Sequence, residues 1–306
     1  MYNQEPRFFI TPMISIHNDE IYLYGKQEWI QERPPRHVNS INNLKDNSTH
    51  NQLSEASRRK AKRAIKYLIF NSSEKKVYNP KFKSSFVFKI NFITLTLPSK
   101  QIHTDQTIKK ECLNQFLIEA KKKWNLTNYI WRAEKQKNGN IHFHILSDRF
   151  IPFQELRDNW NRIVEKLGYV TRFRQKNGLK KPNSTDIHSL NKVKNVSQYI
   201  LKYMVKKEET LCNDGRIWAT STTLSNIKGG QDEIEKGYEK ELQKIKELKR
   251  TKTIEKDYIT MIFFDSERLT EQEFPRLYKL LNDYLKTIFK EPKNVDIYPY
   301  QVPTFF

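Results

Sequence analysis

Only two cysteines, Cys112 and Cys212, occur in 306 residues. Two are too few for a disulfide scaffold or a cysteine-rich zinc site. No apolar run approaches the roughly 18 residues that a membrane-spanning helix needs. Met1 to Phe9 carries early charges and no apolar signal core. These absences predict a soluble, cytoplasmic protein with no membrane association. There is no Gly-x-x-x-x-Gly-Lys-Ser/Thr loop, so a fused nucleotide-driven motor is not expected. No internal repeat is visible. Acidic residues are also scarce, 35 against 55 lysines and arginines.

The resulting formal charge of +20 repels itself unless something anionic is near. Nucleic acid is the first candidate partner and an anionic membrane surface the second. An Asn/Lys/Ile-rich background inflates lysine, but it does not explain local clusters. Apolar residues make up 37%, low for a compact enzyme and above disordered composition. Aromatics, at 12%, can pack economically or stack on bases.

Along the chain, residues 1–52 alternate aromatic strings with polar loops, and Asn39 to Gln52 reads as a loop. Ser54 caps a predicted helix to about Phe70, with Ala61, Ala64, Ile65 and Leu68 at helical spacing. Arg58, Arg59, Lys60, Lys62, Arg63 and Lys66 cover its other faces, either as a solvated surface or as phosphate contacts. Phe86 to Leu97 reads as one long strand stopped by Pro98. A helix is predicted from about Asp105 to Trp124. Tyr129 to Gln136 and Ile141 to Leu146 then form a hairpin around Asn138-Gly139. A helix over Phe153 to Leu167, a strand over Tyr169 to Arg174 and a helix over Asn195 to Glu208 follow. Beyond Gly229-Gly230 come a charged helix from Asp232 to Arg250, a strand from Tyr258 to Phe264 and an amphipathic helix from Pro275 to Phe289. The order predicts an α+β fold with a mostly antiparallel sheet and segregated helices. Three segments are expected: 1–80 with the basic helix, 81–227 as the catalytic domain, and 228–306 as an α/β subdomain.

Three motifs stand in order: Phe92-Ile-Thr-Leu-Thr-Leu-Pro98, Ile141-His-Phe-His-Ile-Leu146 and Tyr199-Ile-Leu-Lys-Tyr203-Met-Val-Lys206. On a strand, His142 and His144 point to one face while Ile141, Phe143 and Ile145 point to the other. Two imidazoles on a rigid strand can begin a metal site. On a helix, Tyr199 and Tyr203 stack one turn apart, with Lys202 and Lys206 beside them. Snorkelling tyrosines with ordinary surface lysines would give the same pattern. A phenol of pKa about 10 is a weak nucleophile near neutrality. Attack on a phosphodiester needs it activated and the phosphate charge neutralised, work that a divalent metal and nearby lysines can do.

Together the motifs resemble those of the HUH endonucleases, named for histidine, hydrophobic residue, histidine. The two-tyrosine form is similar to rolling-circle replication initiators of microvirus-type single-stranded DNA phages. The resemblance runs from about Phe86 to Trp218. It implies a central five-stranded antiparallel sheet flanked by helices, with N- and C-terminal extensions. It implies His142 and His144 as metal ligands, Tyr199 and Tyr203 as nucleophiles, and Lys202 and Lys206 as charge stabilisers. It further implies a 5′-phosphotyrosine intermediate at a single-stranded DNA origin, host helicase and polymerase as partners, and the cytoplasm of a bacterial host if the gene is a phage's.

Glu134 is the candidate third ligand, giving an imidazole and carboxylate set suited to Mn²⁺ or Mg²⁺. A three-residue loop Lys137-Asn138-Gly139 places it opposite His142 on the same face; a two-residue Asn138-Gly139 loop turns it away. Thr94 and Thr96 share a strand face and either orient DNA or simply pack. Arg172, Arg174, Lys176, Lys180 and Lys181 surround Gly178 in a turn that either grips phosphates or is solvated. With Arg58 and Arg63, Arg172, Arg174, Lys180 and Lys181 complete the candidate DNA contacts. His188 and residues 231–306 carry no catalytic assignment, the latter read as partner-binding or DNA-clamping. A transposase or relaxase of the same chemistry is the alternative enzyme. A non-catalytic single-stranded nucleic-acid-binding protein is the alternative of another class, although the GFGF-type aromatic signature is absent.

Overall fold

The computed structural model of the chain describes residues 8–17, 19–30, 55–79, 83–178, 181–190, 215–227, 229–265, 268–288 and 297–299. They fall into two compact units that alternate along the chain, one within Met1–Ser48 and Ile227–Glu291, the other within Thr49–Asn226 and Pro292–Phe306.

The first unit is one antiparallel sheet with two helices. Its strands are β1 (Phe8–His17), β2 (Glu20–Trp29), β10 (Gly230–Glu233), β11 (Lys252–Lys256) and β12 (Ile259–Phe263), in the order β10-β1-β2-β12-β11. Ile14, Ile16, Ile21 and Ile262 are fully buried. Helices α6 (Lys236–Glu247) and α7 (Pro275–Ile288) contribute Tyr238, Leu242 and Ile245, and Leu277, Leu281 and Leu285, each set at helical spacing. Where α7 meets β10, Gly230 lies so close that a Cβ would stand 2.3 Å from the Leu280 carbonyl oxygen. Only glycine permits that approach.

The second unit carries the motif strands. Strands β5 (Asn91–Thr96), β6 (Tyr129–Lys135), β7 (Ile141–Ser147), β8 (Thr185–Ser189) and β9 (Trp218–Thr220) form an antiparallel sheet in the order β8-β5-β7-β6-β9. Alternation sorts its side chains into two faces. Ile93, Leu95, Trp131, Ala133, Ile141, Phe143 and Ile145 lie in the core with residues of two helical rods. The first rod, α2, runs through Asp105–Thr107, a π-helical turn Ile108–Leu113 and Asn114–Trp124; the second is α3 (Phe153–Glu165). Trp160 of α3 meets Phe116 and Phe143 edge to face, at 6.0 and 6.3 Å, and its indole N–H donates to the Thr96 carbonyl at 2.7 Å. Cys112, buried in the π turn, has its thiol pushed up to about 12 by burial and by Glu111, so it is chemically inert near neutrality. The opposite face of the sheet holds the polar side chains of the candidate site.

The same unit includes α1 (Glu55–Asn71), which packs on β6 and on α5 (Thr222–Ser225), and a small sheet of β3 (Lys75–Asn79), β4 (Ser84–Phe88) and β13 (Ile297–Pro299) in the order β13-β3-β4. Strand pairing crosses the expected segment boundaries near residues 80 and 228. β1 and β2 pair with β10 and β12, and β3 pairs with β13.

Two expected elements differ. The single strand Phe86 to Leu97 is two strands in two sheets, β4 and β5, parted at Lys89-Ile90. Phe88, Ile90 and Phe92 are all buried, so the alternation runs on through the break and hides it. The strand expected over Tyr169 to Arg174 is helix α4 (Tyr169–Asn177). Its aromatic and β-branched residues favour a strand, but the environment prevails. Gly168 turns the chain with φ +75°, the Glu165 carboxylate accepts the Thr171 N–H at 2.9 Å, and Tyr169 and Val170 are buried in the core. Gly178, at φ +68°, ends the helix. The charged helix is also shorter than Asp232 to Arg250, because residues 230–233 pair as β10. The loop 39–52, the Ser54 cap, the helix Asn195 to Glu208 and Cys212 lie outside the described residues.

Candidate metal centre

The site begins with a turn. Gln136 N–H donates to the Asn140 carbonyl at 2.8 Å, and Gly139, at φ +83°, closes back on the Gln136 carbonyl at 2.8 Å. Lys137-Asn138-Gly139 is thus a three-residue loop with a left-handed glycine. This register pairs Glu134 with His142 and Arg132 with His144. On the other side β5 pairs Thr96 with His142 and Thr94 with His144. Of the two loops open to the sequence, the structure has the one that brings Glu134 to the histidine face.

Three side chains converge there. His142 Nε2 and His144 Nε2 each lie 3.4 Å from Glu134 Oε2, and the ligand atoms are all within 4.8 Å of one another. The imidazole rings stand 4.5 Å apart. Glu134, His142 and His144 are the metal-binding group found among the described residues. The side chains keep 17%, 16% and 12% of their surface exposed, so the centre is enclosed but reachable.

The surroundings hold the donors in place. Thr94 Oγ1 lies 3.2 Å from His144 Nδ1, which leaves Nε2 toward Glu134. The Phe92 ring lies 5.0 Å from that of His144. Arg132, 3% exposed, sets Nε 3.3 Å from Glu134 Oε1 and leaves Oε2 toward the imidazoles. Burial works to raise the Glu134 pKa. Hydrogen bonds from His142 and His144, with the charges of His144 and Arg132, outweigh it and hold the carboxyl well below the usual carboxylate range. The residues fit a divalent cation: two imidazole nitrogens and an ionised carboxylate oxygen converge, and their outer atoms are anchored by other side chains. His142 Nδ1 is buried without a hydrogen-bond partner, so that ring is held by packing and by its Nε2 side.

The remaining candidates are spread over the second unit. Thr96 Oγ1 donates to the Ser184 carbonyl at 2.9 Å, so its hydroxyl is engaged within the protein. Arg58 and Arg63 are half-buried on α1, with interactions inside the protein. Arg172, Arg174 and Lys176 lie on α4, and Lys181 pairs with Asp158 at 3.4 Å. His188 is exposed and pairs with Asp186 at 2.9 Å. Tyr199, Lys202, Tyr203, Lys206 and Lys180 lie outside the described residues. Sequence reasoning missed Arg132. Its signal was available: it stands two residues before Glu134 on the same strand and so shares its face. Thr94 was read as a DNA contact or a packing residue, whereas its hydroxyl meets the His144 ring.

An antiparallel five-stranded sheet with helices on one face and an imidazole–carboxylate cluster on the other defines an α+β protein with a candidate divalent-cation site. Residues 90–208, from just before β5 to just past Lys206, match the family model of the replication-associated proteins of the ORF2 type. That match covers less than half of the chain and supports a rolling-circle replication initiator, a class with endonuclease activity. No curated protein and no solved structure matches the chain.

Proposed function

We propose that the chain initiates rolling-circle DNA replication by nicking and rejoining single-stranded DNA at an origin through a tyrosine. The carrying observation is the convergence of Glu134, His142 and His144 on one sheet face, inside the stretch that matches the replication-associated family. Glu134, His142 and His144 would hold Mn²⁺ or Mg²⁺, which supplies Lewis acidity at a phosphate oxygen. Thr94 and Arg132 orient His144 and Glu134, so the donors need little rearrangement when the DNA arrives.

Tyr199 or Tyr203 is the nucleophile. Its phenol oxygen bonds to phosphorus, the P–O3′ bond breaks, the phenol gives up its proton, and the departing 3′ oxygen takes one up. The products are a 5′-phosphotyrosyl link and a free 3′-hydroxyl, from which a host polymerase extends while a host helicase unwinds. Lys202 and Lys206 stabilise the developing charge. The second tyrosine reverses the bond change and closes the released strand.

The test uses the full chain, circular single-stranded DNA bearing the candidate origin, and Mn²⁺ or Mg²⁺. Mass spectrometry should find DNA on Tyr199 or Tyr203, and the His142→Ala/His144→Ala double variant should form no adduct while remaining folded. An undiminished adduct in that variant, or in Tyr199→Phe/Tyr203→Phe, would overturn the assignment.

A further inference from the structure

A second concave site lies at the turn end of the motif sheet. It is a cleft of about 630 Å³ between the loop after β5, the β6–β7 turn and α4, and its lining includes Pro98, Lys100, Asn138, Arg172, Phe173 and Lys176. That volume is in the range of sites that enclose a small organic ligand. Three lining residues are cationic and none is acidic. Lys100 and Lys176 are exposed, and Phe173 is half-buried.

Arg172 is held in a way that leaves it half used. Its guanidinium sits 5.3 Å over the Tyr169 ring, and Nη2 donates to the Leu167 carbonyl at 3.2 Å. Nη1 is buried with no partner in the protein. A buried guanidinium N–H without an acceptor is costly, and an anionic oxygen in the cleft would satisfy it. An aromatic ring beside clustered cations is the composition that binds unpaired nucleotides, by stacking on the base and neutralising the phosphate. Position agrees with this. Leu97, also in the lining, follows Thr96, whose cross-strand partner is His142. Asn140, at the cleft, stands two residues before His142 on the chain, roughly 7 Å at strand rise.

We propose that this cleft receives one unpaired nucleotide of the DNA strand next to the scissile phosphate, its phosphate held by Arg172, Lys176 and Lys100 and its base laid against Phe173. The proposal rests on the nicking function for its choice of DNA, and it makes the nucleotide beside the nick a position that must be unpaired.

The experiment reads binding apart from chemistry. Fluorescence anisotropy of labelled oligothymidylate, with EDTA present, compares the full chain with Phe173→Leu and Lys100→Glu/Lys176→Glu. Duplex of the same length and free thymidine monophosphate serve as competitors. Each variant should bind the single strand more weakly, about five- to a hundredfold for the ring. The lysine variant should also flatten the salt dependence by about 0.7 in log–log slope for each phosphate it no longer neutralises. Duplex and mononucleotide should compete poorly. The lysines are exposed, so that variant keeps its fold even if Phe173→Leu does not. Wild-type affinity in the lysine variant, or in a folded Phe173→Leu, would overturn the proposal. Full competition by the mononucleotide would overturn it too, assigning the cleft to a free nucleotide. Failure of the nicking function has its own signature: no tyrosyl adduct forms in Mn²⁺, while the cleft variants still weaken strand binding.

Discussion

At the scale of single residues, the centre depends on side chains that touch no cation. Thr94 meets His144 Nδ1, and removing its hydroxyl frees the ring to rotate. Thr94→Val, which keeps the strand-favouring shape, should lower divalent-metal affinity about 10- to 100-fold, the usual cost of losing such a support; calorimetric titration with Mn²⁺ checks this. A different residue tunes stability. Asp148, just after β7, has its pKa raised because burial outweighs the help of Arg149, Lys75 and Asn128. The folded state therefore binds the Asp148 proton more tightly than the unfolded chain does. This stabilisation is fully present below the ordinary aspartate pKa of about 3.9 and is lost as pH rises through the elevated folded value. Asp148→Asn, neutral at every pH, should melt above the parent chain near neutrality. The gap should close at pH about 3, as melting curves across that range would reveal.

At the scale of elements, the turn between β6 and β7 decides whether there is a site at all. Deleting Lys137 to leave a two-residue Asn138-Gly139 loop would shift the register of β6 by one residue and turn Glu134 to the opposite face. That variant should keep β-sheet circular dichroism yet lose Mn²⁺ binding; retained affinity would show that Glu134 is not needed. How much could be read in advance follows the same physics. His142 and His144 were legible because strand alternation depends on nothing beyond the strand itself. Glu134 was legible only up to a choice between two loops, which Gly139 at φ +83° resolves. Tyr169 to Arg174 misled because burial of Tyr169 and Val170 overrode local preference, and the β4–β5 break was invisible because apolar alternation runs across it. The hairpin β1–β2 read as aromatic strings with polar loops, since its apolar residues are intermittent and much of its length is exposed.

At the scale of the whole molecule, charge dominates. With a formal +20, the chain should bind single-stranded DNA with an affinity that falls steeply as salt rises, about 0.7 log units per log unit of salt for each phosphate neutralised. Anisotropy titrations over a range of salt concentrations measure the slope, and a value near zero would mean that the cations do not face the strand. Phosphate contacts of this sort position a strand without reading its sequence. Origin choice must then come from contacts with bases.

The first unit's sheet has a consequence for how the protein is made. β1 and β2 leave the ribosome first, yet the strands that flank them, β10 and β12, are encoded after the whole motif sheet. At about 5–20 residues per second, the β1–β2 ribbon waits roughly ten to fifty seconds before β12 emerges. Through that interval its backbone edges are unpaired, and strands of neighbouring nascent chains can add to them. The nicking sheet needs no such wait, since its strands β5 to β9 are consecutive. Synthesis thus releases a cation-binding sheet early and leaves the N-terminal ribbon as the part most dependent on chaperones. A shortened protein meant to isolate the motif sheet would have to discard both ends of the first unit together, because either half alone retains an open edge.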